Sequence, residues 1–114
     1  MAKLPNDLSE TIWRLKRQLA DVITNSRESE FAIFERFGET ERTIIYLDEV
    51  QNVAEQATER FSQFSSLQIR IFNIQPLIPA DMLELVMQVI ANTEARLPAL
   101  EQSIQEIKTE WNLP

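Results

Sequence analysis

The sequence predicts an all-α protein in which three long helices form one elongated bundle. The chain contains one glycine in 114 residues, where average usage would give roughly eight. Sheet proteins need glycine at hairpins and bulges, so this scarcity favours helices. Apolar residues also recur every three and four positions over three long segments, which is the spacing of a helix face that packs on a core. The 44% of residues that are hydrophobic are typical of a folded domain.

The first helix is predicted over about residues 7–37. Asp7 and Glu10 have the spacing of a capping box at its start, and Gly38 can supply a left-handed residue just after its end. Its stripe consists of Leu8, Ile12, Leu15, Leu19 and Val22, and the same spacing continues through Ser26, Ser29, Ile33 and Phe37. We interpret the polar middle as part of one helix, and a break near residues 25–29 is the alternative.

The second helix is predicted over about residues 40–73, with Thr40 as its N-cap. Its stripe consists of Thr43, Leu47, Val50, Ala54, Ala57, Phe61 and Phe64, with Ile71 further on. The segment "LQIRIFNI" near the end alternates apolar and polar residues at first, as a strand does. We expect a helix there, because the chain offers no second strand to pair with it.

The third helix is predicted over about residues 80–112, with Asp81 and Glu84 spaced as a capping box. Its stripe consists of Leu83, Val86, Ile90, Thr93, Leu97, Leu100, Ile104, Ile107 and Trp111. The spacing is the same before and after Pro98, so we expect one helix that is kinked near this proline. The alternative is that one helix stops near Arg96 and another starts with Pro98 at its first helical position.

Short connections at Gly38 and around residues 73–79 require neighbouring helices to be antiparallel. The expected architecture is therefore an up-down-up bundle with left-handed, coiled-coil-like packing, formed by a single domain over residues 1–114. Each helix would be roughly 46–50 Å long. In length and topology this bundle is similar to a spectrin-type repeat.

The composition excludes several kinds of chemistry. The chain has no histidine and no cysteine, which removes the commonest general base, the commonest metal ligand and every thiolate site. We expect no catalytic, cofactor-binding or metal-binding residues and no cofactor, so the chain is not predicted to be an enzyme. A net charge of −7 argues against nucleic acid as a partner, because phosphate contacts need clustered lysine and arginine.

No apolar run reaches the roughly 20 residues that cross a membrane, so no transmembrane segment is expected. The N-terminal sequence "MAKLPNDLSE" lacks the apolar stretch of a secretory signal. A cytoplasmic protein is therefore predicted.

The start of the third helix carries more apolar residues than one stripe requires. Met82, Leu85 and Val89 form a second stripe, and Phe72, Leu77 and Ile78 precede it at the same end of the bundle. We predict that these six residues bind a protein partner or a second copy of the chain. The alternative is a wide core end, where the third helix touches both of its neighbours.

Trp13 lies off the first stripe beside Arg14, Lys16 and Arg17, and we include it among the partner-binding candidates. It could anchor a contact with phosphate or a membrane surface, or it could cover the edge of the core with Arg17 stacked on it. At the opposite end, Tyr46 and Trp111 are expected to close the core near Phe34 and Phe37.

These observations favour a non-enzymatic helical interaction or scaffold protein that acts through an apolar bundle end and is homo-oligomeric. One alternative is a small acidic chaperone, immunity or antitoxin-like protein that masks an apolar or basic partner. Another is a coat protein on a granule or membrane surface, which would use an amphipathic face and Trp13.

Overall fold

Three long helices run up, down and up along one axis in the computed structural model, which describes residues 4–74 and 76–114. Helix α1 spans Asn6–Phe37, α2 spans Glu41–Ile74 and α3 spans Ala80–Glu110. The bundle measures 55 × 20 × 19 Å, close to the length of about 51 Å expected for a 34-residue helix. The all-α, elongated, up-down-up prediction is confirmed. The single-domain prediction also covers residues 1–3 and 75, which lie outside the described residues.

The predicted stripes form the core. Most of their residues are buried, and Phe64 is the largest side chain that is completely enclosed. Ala54 and Ala57 are also fully buried on α2, where small side chains allow the neighbouring helices to approach closely. Leu8, Leu47, Phe61 and Leu83 are partly buried against this core, and Phe37 is exposed at the end of α1.

The starts of α1 and α3 differ from the capping boxes predicted at Asp7–Glu10 and Asp81–Glu84. The N-cap residues are Pro5 and Pro79, whose side chains cannot cap a helix, and in the first turn of α3 Asp81 Oδ1 accepts the backbone N–H of Met82 at 3.0 Å. Each proline has φ near −60° and ψ near 145°, which is the extended conformation suited to an N-cap. The carbonyl oxygen of each proline accepts two backbone N–H groups at 3.1 Å.

The start of α2 confirms Thr40 as a capping residue. Thr40 Oγ1 accepts the backbone N–H of Thr43 at 3.1 Å, and Thr43 Oγ1 accepts the backbone N–H of Thr40 at 2.8 Å. This reciprocal pair satisfies two donors that a helix start would otherwise leave without partners. Thr43 Oγ1 also donates to the carbonyl oxygen of Gly38 at 2.8 Å, which joins the helix start to the turn before it.

The turn between α1 and α2 depends on Gly38. Its N–H donates to the carbonyl oxygen of Phe34 at 2.9 Å, and its backbone has φ 69° and ψ −173°. The positive φ agrees with the prediction, but ψ lies far from the left-handed helical value. This extended region with positive φ is almost restricted to glycine.

Helix α3 ends two residues before the predicted Asn112. Asn112 adopts φ 54°, and its N–H bonds to the carbonyl oxygen of Thr109 while that of Leu113 bonds to Lys108. This is a Schellman motif with asparagine in the left-handed position. Asparagine tolerates that conformation better than most residues, and the turn stops the helix although the apolar spacing continues to Trp111.

The three long helices are uninterrupted where the sequence left alternatives. Pro98 lies inside α3 and is exposed, so the reading with a stop near Arg96 and a restart at Pro98 is wrong. Helix α1 continues through residues 25–29, and α2 continues through "LQIRIFNI" to Ile74. The kink angle and the left-handed packing stay predictions.

Five polar residues are buried in the helix interfaces: Ser26, Ser29, Thr43, Gln68 and Thr93. Ser26 Oγ donates to the carbonyl oxygen of Val22 at 2.6 Å. For Ser29 Oγ and Thr93 Oγ1, by contrast, the described chain provides no hydrogen-bond partner. A buried hydroxyl without a partner destabilises a fold, so these two positions are weak points in the core.

Candidate functional site

The up-down-up order brings six of the seven predicted partner-binding residues to one end of the bundle, and the seventh, Val89, lies directly beyond it on α3. We call this the linker end and define it as residues 4–17, 67–74 and 76–88. The opposite end, residues 27–49 and 101–114, is the Gly38 end. Contacts between helices fix this arrangement. At the linker end, Lys16 Nζ of α1 donates to Gln68 Oε1 of α2 at 2.7 Å. At the Gly38 end, Tyr46 of α2 packs on Trp111, which follows α3.

Four of the seven candidates are exposed at the linker end. Phe72 is 58% exposed, Leu77 50%, Trp13 48% and Leu85 38%. Ile69 and Met87, which were not among the candidates, are exposed there as well. Ile69 and Phe72 lie one turn apart on α2, so together they extend an apolar strip along that helix.

Three candidates are placed differently. Ile78 and Val89 are buried in the core, and Met82 is partly buried against it. The reason is that α3 packs against both α1 and α2, so it buries more than one stripe. The residues of the wide core end and those of the exposed surface are therefore interleaved in the sequence.

Leu85 and Met87 lie on opposite flanks of α3. Two positions correspond to about 200° around a helix, and both side chains are exposed. The exposed apolar surface of the linker end therefore wraps around the start of α3 and does not form one flat face.

Trp13 packs beside Lys16, whereas the core-edge alternative expected Arg17 there. Lys16 Nζ lies 4.8 Å from the centroid of the Trp13 ring and 4.8 Å from that of Phe61, as in a cation–π contact. Desolvation by the surrounding side chains lowers the pKa of Lys16. Arg14 forms an ion pair with Glu94 at 3.2 Å. The Arg14–Glu94 pair offsets one of the positive charges that the Trp13 face could present to a phosphate or a membrane.

Aromatic side chains close the core at the Gly38 end. The ring of Trp111 lies 4.9 Å from Phe37 and 5.1 Å from Tyr46, measured between centroids. The guanidinium carbon of Arg42 lies 4.9 Å from the Trp111 ring centroid. Core closure by Tyr46, Trp111 and Phe37 is confirmed, but Phe34 is exposed and does not belong to it.

The sequence prediction missed an acidic groove between the end of α1 and the start of α2. Its apolar wall consists of Phe31, Phe34, Ile44 and Leu47, and its polar rim consists of Glu30, Glu39, Asp48 and Gln51. Phe31 and Phe34 lie off the predicted stripe, three residues apart. That spacing is the signal that could have indicated an additional apolar face on α1.

A second hollow at the same end lies between α2 and α3. Ile45, Tyr46 and Ile107 contribute its apolar part, and Glu49, Glu106 and Glu110 contribute carboxylates. Apolar surface and negative charge therefore occur together on two sides of the Gly38 end.

Exposed large apolar side chains are restricted to the two ends. Among the described residues they are Trp13, Ile69, Phe72, Ile74, Leu77, Leu85 and Met87 at the linker end, and Phe31, Phe34, Phe37, Ile44 and Ile45 at the Gly38 end. The middle of the bundle, over residues 18–26, 50–66 and 89–100, contributes none of them. Single exposed apolar residues are ordinary on a protein surface, but their concentration at both ends marks two candidate binding surfaces.

Within residues 4–74 and 76–114, no group of three or more carboxylates is placed to hold a metal ion. In the same part of the chain, no helix is long and apolar enough to cross a membrane. No family model matches the chain, and no curated protein or solved structure is significantly similar to it.

Proposed function

We propose that this chain is a non-enzymatic, cytoplasmic interaction protein that forms homo-oligomers through the linker end. The observation that carries the proposal is the exposure of Phe72, Leu77 and Leu85 at one end of the bundle. Large apolar side chains gathered at one end lose unfavourable contact with water when they pack against another surface.

The charge of the linker end is compatible with self-association. Its segments contain four acidic and four basic side chains, namely Asp7, Glu10, Asp81 and Glu84 against Arg14, Lys16, Arg17 and Arg70. Two copies of a neutral surface can approach without the repulsion that the whole chain, with net charge −7, would otherwise produce. Opposite charges on the two copies can also set their relative orientation.

The test is to place negative charge on the proposed interface. Phe72→Glu combined with Leu85→Glu should convert the oligomer to a monomer, measured by size exclusion with light scattering over a wide range of protein concentration. Both side chains are exposed in the single chain, so helicity by circular dichroism should be unchanged. Val89 is unsuitable for this purpose because it is buried, and a glutamate there would unfold the bundle.

The matched control carries the same kind of change at the other end. Phe34→Glu combined with Ile44→Glu adds the same charge on residues of the same or similar type, and it should leave the oligomer intact. A wild-type protein that is monomeric at every concentration would contradict the proposal. The proposal is also contradicted if the Phe72 and Leu85 variant has the same oligomer mass by light scattering as the wild-type protein.

A further inference from the structure

The acidic groove at the Gly38 end is an open hollow between α1 and α2. Its volume is about 400 Å³, which is within the range of ligand pockets in proteins. Phe31 and Phe34 line it from one turn of α1, while Ile44, Leu47 and Gln51 line it from two turns of α2. Two parallel ridges with a furrow between them accept the ridge of a third helix. Helix α3 does not occupy this position, because the lining side chains come from α1, α2 and the turn between them.

The groove lies in the most acidic part of the molecule. Residues 27–49 and 101–114 contain ten acidic and four basic side chains, which gives this end a net charge of −6. Glu30, Glu39 and Asp48 line the groove itself, and its lining includes no basic residue of the described chain. A cleft with apolar walls and charges of one sign strengthens the electrostatic field that acts on a bound ligand.

The four basic groups of this end contact other parts of the same molecule. Arg36 donates to the carbonyl oxygen of Asn112 at 3.4 Å, Lys108 donates to Asn25 Oδ1 at 3.1 Å, and Arg42 lies over Trp111. Arg27 pairs with Glu30 at 3.2 Å, and an exposed pair of this kind is weak. Glu39 and Asp48 thus remain the main charges that a ligand would meet at the rim.

We propose that this groove binds the apolar face of a basic amphipathic helix from another protein. Ile44 to Gln51 spans about two helical turns, so the bound segment would place apolar side chains at positions i, i+3 or i+4, and i+7. Lysine or arginine beside that stripe would lie against Glu39 and Asp48. This surface and its partner are distinct from the self-association at the linker end.

The negative charge of the groove favours a basic helix over the other possible ligands. Anionic membranes and nucleic acids would be repelled by the rim carboxylates. A second copy of the chain would have to insert its linker end, which is neutral, or its own Gly38 end, which carries the same negative charge. A basic amphipathic helix is the ligand that matches both the apolar walls and the sign of the rim.

The probe is a fluorescent synthetic peptide of about 14 residues, roughly four helical turns, with a leucine stripe flanked by lysines. Its control has glutamate in place of each lysine. Fluorescence anisotropy should show binding of the lysine peptide that weakens as salt is added, and no comparable binding of the glutamate peptide. Asp48→Asn combined with Glu39→Gln should weaken the lysine peptide several-fold and reduce the salt dependence.

Phe34→Ala and Phe72→Ala form the matched pair that locates the binding. Both residues are phenylalanines of nearly equal exposure, 55% and 58%, at opposite ends of the bundle. Phe34→Ala should weaken the lysine peptide by about tenfold or more, as truncation of an aromatic anchor does, and Phe72→Ala should have no effect. If Phe34→Ala lowers helicity, Phe31→Ala replaces it, because Phe31 is 67% exposed.

Three results would overturn the proposal: equal binding of the two peptides, an equal loss in the Phe34 and Phe72 variants, or no binding of the lysine peptide. Light scattering on the Phe34 variant identifies the rival occupant, since conversion to a monomer would show that a second copy covers the groove. The three peptide results leave the expected mass of the Phe72 and Leu85 variant unchanged, so the two proposals can fail separately.

Discussion

Replacing Thr93 by valine should stabilise the protein. Thr93 is 0% exposed in the α3 stripe, and its hydroxyl has no hydrogen-bond partner among the described residues. A buried polar group without a partner costs about 1–3 kcal/mol. Valine has nearly the same shape and a similar helix propensity, so the substitution removes that cost without creating a cavity. We expect the free energy of unfolding to rise by about 1–2 kcal/mol.

The same substitution at Thr43 should have the opposite effect. Thr43 is 2% exposed, but its hydroxyl donates to the carbonyl oxygen of Gly38 and accepts the N–H of Thr40, both at 2.8 Å. Valine would leave this carbonyl and this N–H without their partner at the start of α2. The expected loss is about 1–3 kcal/mol. Burial and chemical change are matched in the two variants, whereas the hydrogen bonding and the position within the helix differ.

Urea unfolding followed by far-ultraviolet circular dichroism measures both free energies, provided that the dependence on denaturant stays the same. A change of 1 kcal/mol corresponds to a shift of roughly 4 °C in Tm for a domain of this size. If Thr93→Val is neutral or destabilising, the hydroxyl of Thr93 has a partner, for example a buried water, and the reasoning is refuted. If Thr43→Val is neutral, its hydrogen bonds do not stabilise the start of α2.

Two further predictions concern the backbone. Gly38→Ala should destabilise the protein by about 1–3 kcal/mol, because alanine is strained at the φ and ψ of this turn. A clash is not the cause, since a Cβ at Gly38 would meet no atom within 4 Å. Gly38→Asn should not restore stability, and recovery with asparagine in a urea titration would place this residue in the left-handed helical region. Pro98→Ala adds a backbone N–H inside a continuous helix. It should leave the free energy of unfolding unchanged or raise it by up to about 3 kcal/mol. A loss of more than about 2 kcal/mol would mean that the proline bend is required for packing.

The order and extent of the helices could be predicted because one apolar spacing persists along each of them. The spacing before and after Pro98 is the same, and a proline that is exposed on the outer side of a helix does not interrupt the buried face. The polar segment around Ser26 and Ser29 also keeps its place in the stripe, so α1 continues through it. Periodicity records which side of a helix faces the core, and it is insensitive to single residues.

The helix ends and the exposed surfaces could not be predicted in the same way. Asp7 and Asp81 have the residue type and spacing of caps. However, Pro5 and Pro79, which lie two residues before them, occupy the N-cap positions. Val89 and Leu85 belong to the same apolar stripe, yet only Val89 is buried. That difference depends on how closely α3 approaches both neighbours, which the sequence pattern does not contain.

The length of the rod sets how its two ends can be used together. The long axis is 55 Å and the width about 20 Å, while a globular domain of 100 residues is roughly 35 Å across. Partner domains bound at opposite ends of the bundle would therefore not collide, so each end can bind its partner while the other end is occupied. Oligomerisation at one end would then place several grooves on the same particle. A ligand with several basic helices would bind such a particle with an avidity higher than the affinity of one groove.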